Sequence, residues 1–168
     1  MITLAALNAM TVAEFVSALS GVFEHSDWVA ARAAAHRPFD SVPQLLEALQ
    51  RVVARAGEAE QLALISAHPA LRARSVHSPA LTAASASEQR RAGLEGCTPA
   101  EAARLAELSS AYQRRFGFPF ILAVRGHDPA SIIARCESRL MREWADEFAS
   151  ALNEIGRIAG FRLADRIG

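Results

Sequence analysis

The chain has 168 residues, enough for one domain that buries roughly 70% of the surface its unfolded form exposes. With 51% apolar and 21% charged residues it lacks the composition of a disordered chain, and its 18 basic residues, all arginine, balance 18 acidic ones. That balance excludes the strong positive field of a nucleic-acid or anionic-membrane binder. The two cysteines, Cys97 and Cys136, have no C-x-x-C or Cys/His spacing for zinc and read as reduced thiols of a cytoplasmic protein. No apolar run approaches a membrane span, and no basic leader precedes the mildly apolar start. The final Arg166-Ile-Gly168 is not a peroxisomal tripeptide of the S-K-L type.

In chain order, Thr11-Val-Ala-Glu14 reads as a capping box opening a helix that carries Phe15, Val16, Leu19 and Phe23. Ser26 is placed to cap a short second helix through Trp28. Ser41 opens a third, with Leu45, Leu46, Leu49, Val52 and Val53 as its buried stripe. A fourth, with Leu62, Leu64 and Ile65, must stop near His68, because Pro69 disfavours helix in the residue before it. From Leu71 to Ala84 the periodicity weakens and a surface loop is expected. Helices resume at Ser85-Ala-Ser-Glu88 and at Thr98-Pro-Ala-Glu101, the latter running to about Arg115. Phe116 to Val124, aromatic with Gly and Pro inside, suits a buried extended connector. Asp128-Pro129 then caps a helical region reaching nearly to the C-terminus. The expected fold is all-α, about eight helices in a single compact domain over 1–168.

Few residues promise chemistry. His68 stands where a helix ends, so its ring can project past the helix and exchange a proton near neutral pH; it can equally be structural. His25, His36, His77 and His127 form no ligand spacing, and no metal is expected. Glu88 holds the position of a capping-box partner for Ser85, but a helix start can also offer N–H groups to an anionic ligand. Gln89 beside it can supply a directional amide contact. The Phe116 to Val124 stretch is core filler or the wall of a pocket whose backbone groups bond a flat polar heterocycle. Arg162 either complements the end of the last helix or offers a planar fork to a carboxylate.

Together these residues resemble the family of 2-oxo-4-hydroxy-4-carboxy-5-ureidoimidazoline (OHCU) decarboxylases, from about Phe15 to Leu163. The marks are Phe23-Glu-His-Ser-Asp-Trp28, Arg37-Pro-Phe39, Ala67-His-Pro69, Ser87-Glu-Gln89 with Gly93-Leu94, Phe116-Gly-Phe-Pro-Phe-Ile121 and Ile158-Ala-Gly-Phe-Arg-Leu163. The resemblance implies that His68 is the catalytic acid, with Glu88 and Arg162 also catalytic. It implies substrate contacts at Pro69, at Ser85, Ala86, Ser87, Glu88 and Gln89, and at Phe120, Ile121, Leu122, Ala123 and Val124. It also implies a homodimer acting on a small ureidoimidazoline, with no cofactor. The chain departs from the family in having Ala70 after His-Pro, where many members carry an acidic residue, and in His127-Asp128-Pro129, where relatives often have a basic one. Two rival readings stand beside it: a helical binding module in which His68, Glu88 and Arg162 are structural, and a lyase or hydrolase for another ureido compound.

Overall fold

A computed structural model describes residues 1–71 and 82–168, and every regular element among them is helical. The expectation of an all-α fold holds. Among the described residues there are nine α-helices and two 3-10 turns, gathered into two compact units: Met1–Ala67 with Ile155–Gly168, and His68–Glu154.

The first unit begins with α1 (Leu4–Ala9), a helix the sequence reading does not anticipate. Its six residues are too few for a repeating stripe, although Thr3 caps it and Leu7 is buried. Asn8 ties it instead to Phe39, donating to the Phe39 carbonyl at 2.8 Å and accepting its N–H at 2.9 Å. In α2 (Val12–Leu19) Thr11 and Glu14 make both capping-box contacts, and the Thr11 hydroxyl draws the Glu14 carboxyl below its usual range. The helix stops at Leu19 and does not reach Phe23, because Ser20 is extended and Gly21 turns left-handed at φ 75°. Phe23 is buried all the same.

Ser26 precedes α3 (Asp27–Ala33) but does not cap it, since its hydroxyl donates to the Glu24 carbonyl at 2.9 Å. The helix outlasts Trp28 and tightens into a 3-10 turn at Ala34–His36. Ser41 caps α4 (Val42–Arg55) as expected; Leu45, Leu49 and Val53 are buried, and Leu46 and Val52 only half-buried. Next, α5 (Glu58–Ala67) ends just before His68. The unit's last helical piece is residues 155–164 of α9 (Trp144–Ala164). There the missing side chains of Gly156 and Gly160 admit α4: a Cβ would stand 2.6 Å from Gln50 Nε2 and 3.1 Å from Leu46 Cδ2 respectively. The two ends of the chain meet in a single parallel bridge, with the Ile2 N–H on the Arg166 carbonyl at 2.9 Å and the Gly168 N–H on the Ile2 carbonyl at 3.2 Å.

The second unit contains α6 (Ala83–Arg91), a 3-10 turn at Leu94–Gly96, α7 (Pro99–Phe116), α8 (Pro129–Leu140) and the first half of α9. Of the expected loop from Leu71 to Ala84, residues 72–81, and with them His77, lie outside the described residues, while Ala83 and Ala84 belong to α6. Capping boxes open α7 at Thr98 with Glu101 and α8 at Asp128 with Ser131. Gly117, at φ 81°, closes α7. A break over residues 141–143 separates α8 from α9, so the expected C-terminal helical region is two helices. The aromatic core of this unit joins Tyr112 to Phe116, Phe118 and Phe120, and Phe118 to Trp144 and Phe148. Cys97 and Cys136 are free thiols, and burial pushes that of Cys136 up to about 12. Among the described residues no helix is long and apolar enough to cross a membrane.

Candidate active site

His68 follows the last residue of α5, where Pro69 ends the helix, and its side chain is buried at 6% exposure. A histidine in that position is removed from bulk water yet carried on a turn, which suits proton exchange with an enclosed ligand.

On α6 the structure corrects the sequence reading. The cap is Thr82, one turn earlier than expected, and its hydroxyl accepts the N–H of Ser85. Ser85 is therefore the third residue of the helix, and Glu88 lies a further turn inside it. The capping-box role proposed for Glu88 is thereby removed. Ser85 and Gln89 are both buried, and their separation of four residues puts them on one face. Half-buried Glu88 is three residues from Ser85 on the flank of that face, and Ala86 and Ser87 are half-buried as well. A hydroxyl, a carboxylate and an amide thus run along one strip of helix, able to accept and donate in a fixed order.

Phe120, Ile121, Leu122, Ala123 and Val124 are all buried and belong to neither helix nor strand, as the buried connector requires. Buried backbone of this kind needs hydrogen bonds from elsewhere. Arg139 Nη1 donates to the Ile121 carbonyl at 2.7 Å, Glu154 Oε2 accepts the Ala123 N–H at 2.7 Å, and the Val124 carbonyl accepts the His127 N–H at 2.9 Å. Arg139 is itself paired through Nε with the fully enclosed Glu147, 2.8 Å away, which also accepts from the Tyr112 hydroxyl and from Arg142 Nη1. Burial, and then the hydrogen bond to Glu147, hold the Tyr112 phenol far above its usual range, so it remains a donor.

Arg162 belongs to the other unit. It lies near the end of α9, yet its Nη1 reaches the Glu24 carboxylate at 2.7 Å and the Gly21 carbonyl at 2.8 Å, so interaction with the helix end is not its main engagement. Both members of that pair are buried, Arg162 at 4% exposure and Glu24 at 0%. His68, the α6 strip and the Phe120 to Val124 segment share the second unit; Arg162 stands with Glu24 in the first. A surface cleft of about 520 Å³ on α7, reached by Ala70, Ser109 and Arg114, is lined by none of these candidates.

Sequence reasoning passed over Glu24, Arg139, Glu147 and Glu154. Glu24 has two signals in the sequence, its place directly after the apolar pair Val22-Phe23 and its place inside Phe23-Glu-His-Ser-Asp-Trp28. The other three sit on helices in patterns that look like solvated charge.

A sequence profile described as OHCU decarboxylase matches residues 8–164. The chain belongs to the OHCU decarboxylase family. It is 39% identical to the 2-oxo-4-hydroxy-4-carboxy-5-ureidoimidazoline decarboxylase of Haloferax volcanii, over 98% of this chain and 96% of that one. A uric acid degradation bifunctional protein from a Bacillus species is 41% identical over 98% of this chain, which spans only 32% of that longer protein. Among solved structures, (S)-allantoin synthase superposes with a TM-score of 0.80 at 30% identity, over the whole of this chain and 54% of its own. An OHCU decarboxylase crystallised in the presence of (S)-allantoin gives a TM-score of 0.70 over 86% of this chain and 93% of its own, and at 22% identity it speaks to the fold alone.

Proposed function

We propose that this chain decarboxylates 2-oxo-4-hydroxy-4-carboxy-5-ureidoimidazoline to (S)-allantoin and carbon dioxide in the degradation of urate. The observation that carries the reading is family membership over residues 8–164 of the chain.

The chemistry needs little beyond placement. The carboxylate leaves from a hydroxyl-bearing ring carbon next to a C=N group. As its C–C bond breaks, the electron pair forms a new double bond to the neighbouring carbon and the imine electrons move to nitrogen. A proton delivered to one face of that neighbouring carbon, with the hydroxyl proton passing to the ring nitrogen that took up the imine electrons, gives the ring carbonyl and ring N–H of allantoin. The ring accepts the electrons that a pyridoxal or thiamine cofactor would otherwise take, so orientation, charge stabilisation and one-sided protonation are the enzyme's tasks.

In this reading His68 delivers the proton and Glu88 holds the ureido N–H groups or the histidine tautomer. Arg162 binds an anionic or carbonyl oxygen. Gln89 and the Phe120 to Val124 backbone fix the ring, with Pro69 and Ser85 to Ser87 completing the contacts. The chain acts as one functional domain, a homodimer in the cytoplasm; sedimentation velocity tests the dimer.

The deciding experiment generates the substrate from urate with urate oxidase and hydroxyisourate hydrolase and follows circular dichroism. With the protein present the signal of (S)-allantoin should rise fast; without it, slow formation of racemate gives none. A protein that leaves the product racemic and the rate unchanged does not have this function.

A further inference from the structure

We propose that Arg139, held in place by Glu147, is a positioning residue that sets the shape of the Phe120 to Val124 segment against the substrate. The inference rests on the decarboxylase reading above. It starts from an oddity of the core: a guanidinium, a carboxylate and a phenol are buried together where apolar side chains would fill the space. Arg139 is 7% exposed, and Glu147 and Tyr112 are fully enclosed. Exchanging a buried ion pair for well-packed apolar residues is commonly neutral or stabilising, so stability alone does not explain the arrangement.

What an apolar side chain cannot do is grip backbone. Arg139 uses Nε for Glu147 and Nη1 for the Ile121 carbonyl, and its guanidinium lies 4.8 Å from the centre of the Phe120 ring. A single planar group thus fixes a side chain and the following peptide of the segment at once. The second grip is Glu154, which takes the N–H of Ala123, two residues on. Two side-chain anchors placed two residues apart thus hold the middle of the segment. Trp144 Nε1 donates to the Phe116 carbonyl at 3.0 Å and fixes the point where the segment leaves α7.

Glu147 in turn aims Arg139. Its Oε2 accepts from Arg139 Nε and from the Tyr112 hydroxyl, and its Oε1 accepts from Arg142 Nη1 at 3.0 Å. Lysine at position 139 would keep the charge pair but not the planar two-way bridge, so the Ile121 carbonyl would lose its donor. A segment free to shift by a fraction of an ångström binds the ring less well and presents its two faces to the proton donor less selectively.

The test measures kcat, KM and the enantiomeric excess of allantoin for Arg139→Lys and Arg139→Met, with Leu49→Ala, in the buried face of α4 in the other unit, as the control for lost stability. We expect Arg139→Lys to raise KM by about tenfold and to lower the enantiomeric excess. Leu49→Ala should lose thermal stability with KM and stereochemistry unchanged. If Arg139→Met fails to fold, Arg139→Lys decides the matter. Wild-type KM and enantiomeric excess in a folded Arg139 variant would overturn the inference while leaving the decarboxylase reading intact. An inactive wild-type protein would overturn both.

Discussion

Alanine at position 24 would leave the Arg162 guanidinium enclosed without the carboxylate that now lies 2.7 Å from it. Because the Arg162 side chain is only 4% exposed, water is poorly placed to replace the lost charge. Breaking a buried pair from one side costs about 3 to 5 kcal/mol, which is a large part of the roughly 5 to 15 kcal/mol that holds a domain folded. Glu24→Gln keeps an oxygen acceptor in place and should cost less, about 1 to 3 kcal/mol. Replacing both partners, as Glu24→Leu with Arg162→Met, removes the buried guanidinium as well as the carboxylate and should recover most of the loss. Urea denaturation of these proteins gives the ordering directly, and adding the single variants Glu24→Leu and Arg162→Met completes the double-mutant cycle that gives the coupling. The reasoning fails if Glu24→Ala costs under about 1 kcal/mol, or if the double variant is as unstable as its two single variants added together. Activity separates structure from chemistry: a stable double variant that no longer accelerates allantoin formation places Arg162 in the reaction, whereas full activity removes it.

The remaining predictions address single residues. His68→Asn should fold normally and lose about 10²- to 10⁴-fold in stereoselective decarboxylation, since an amide can hydrogen-bond but cannot deliver a proton. The comparison is His25→Asn, at an exposed residue with φ 47° that asparagine tolerates well, and equal small losses in the two would make His68 structural. Glu88→Gln should melt near wild type, because Thr82 and not Glu88 shapes the helix start, yet lose more than about tenfold in turnover; wild-type turnover would take Glu88 out of the chemistry. Gly156→Ala should raise stability by about 0.5 to 1 kcal/mol, since the obstructing atom is the end of the exposed Gln50 side chain, and a loss measured by urea titration would show that Gln50 cannot move. Tyr112 is the chain's single tyrosine, and its folded value lies above the ordinary 10.0, so stability should hold below that pH and fall as pH rises past it. Tyr112→Phe should lack that part of the fall, and a phenolate absorbance titrating near 10.0 in the folded protein would contradict the enclosure.

Local signals were readable and distant ones were not. The capping boxes at Thr11, Thr98 and Asp128 are each settled within four residues, and all three open helices where the sequence reading puts them or their boundary. Around α6 two frames compete, with Thr82 three residues before Ser85 and Ser85 three before Glu88, and a local pattern cannot choose between them. The short α1 is capped by Thr3 but tied down by Asn8 meeting Phe39, 31 residues away, a contact its own sequence does not reveal. The same holds for Arg162 with Glu24, 138 residues apart, and for the side chains that grip Ile121 and Ala123 from 18 and 31 residues away. His68, Glu88, Gln89 and the connector could be singled out because their oddity is local: a helix stopped by proline, polar residues at a helix start, and aromatic residues interrupted by glycine and proline.

The bridge between Ile2 and Ile167 makes the first unit a closure of the chain's two ends around a continuous insertion, His68–Glu154. Every contact inside that insertion can form before the last residues are made. The N-terminal helices are different: Glu24 must wait for Arg162, and the carbonyls of Ala18 and Ser20 for Arg166, each more than a hundred residues later. The contacts that fix α2 and the turn after it thus depend on residues far along the sequence, whereas those within His68–Glu154 do not.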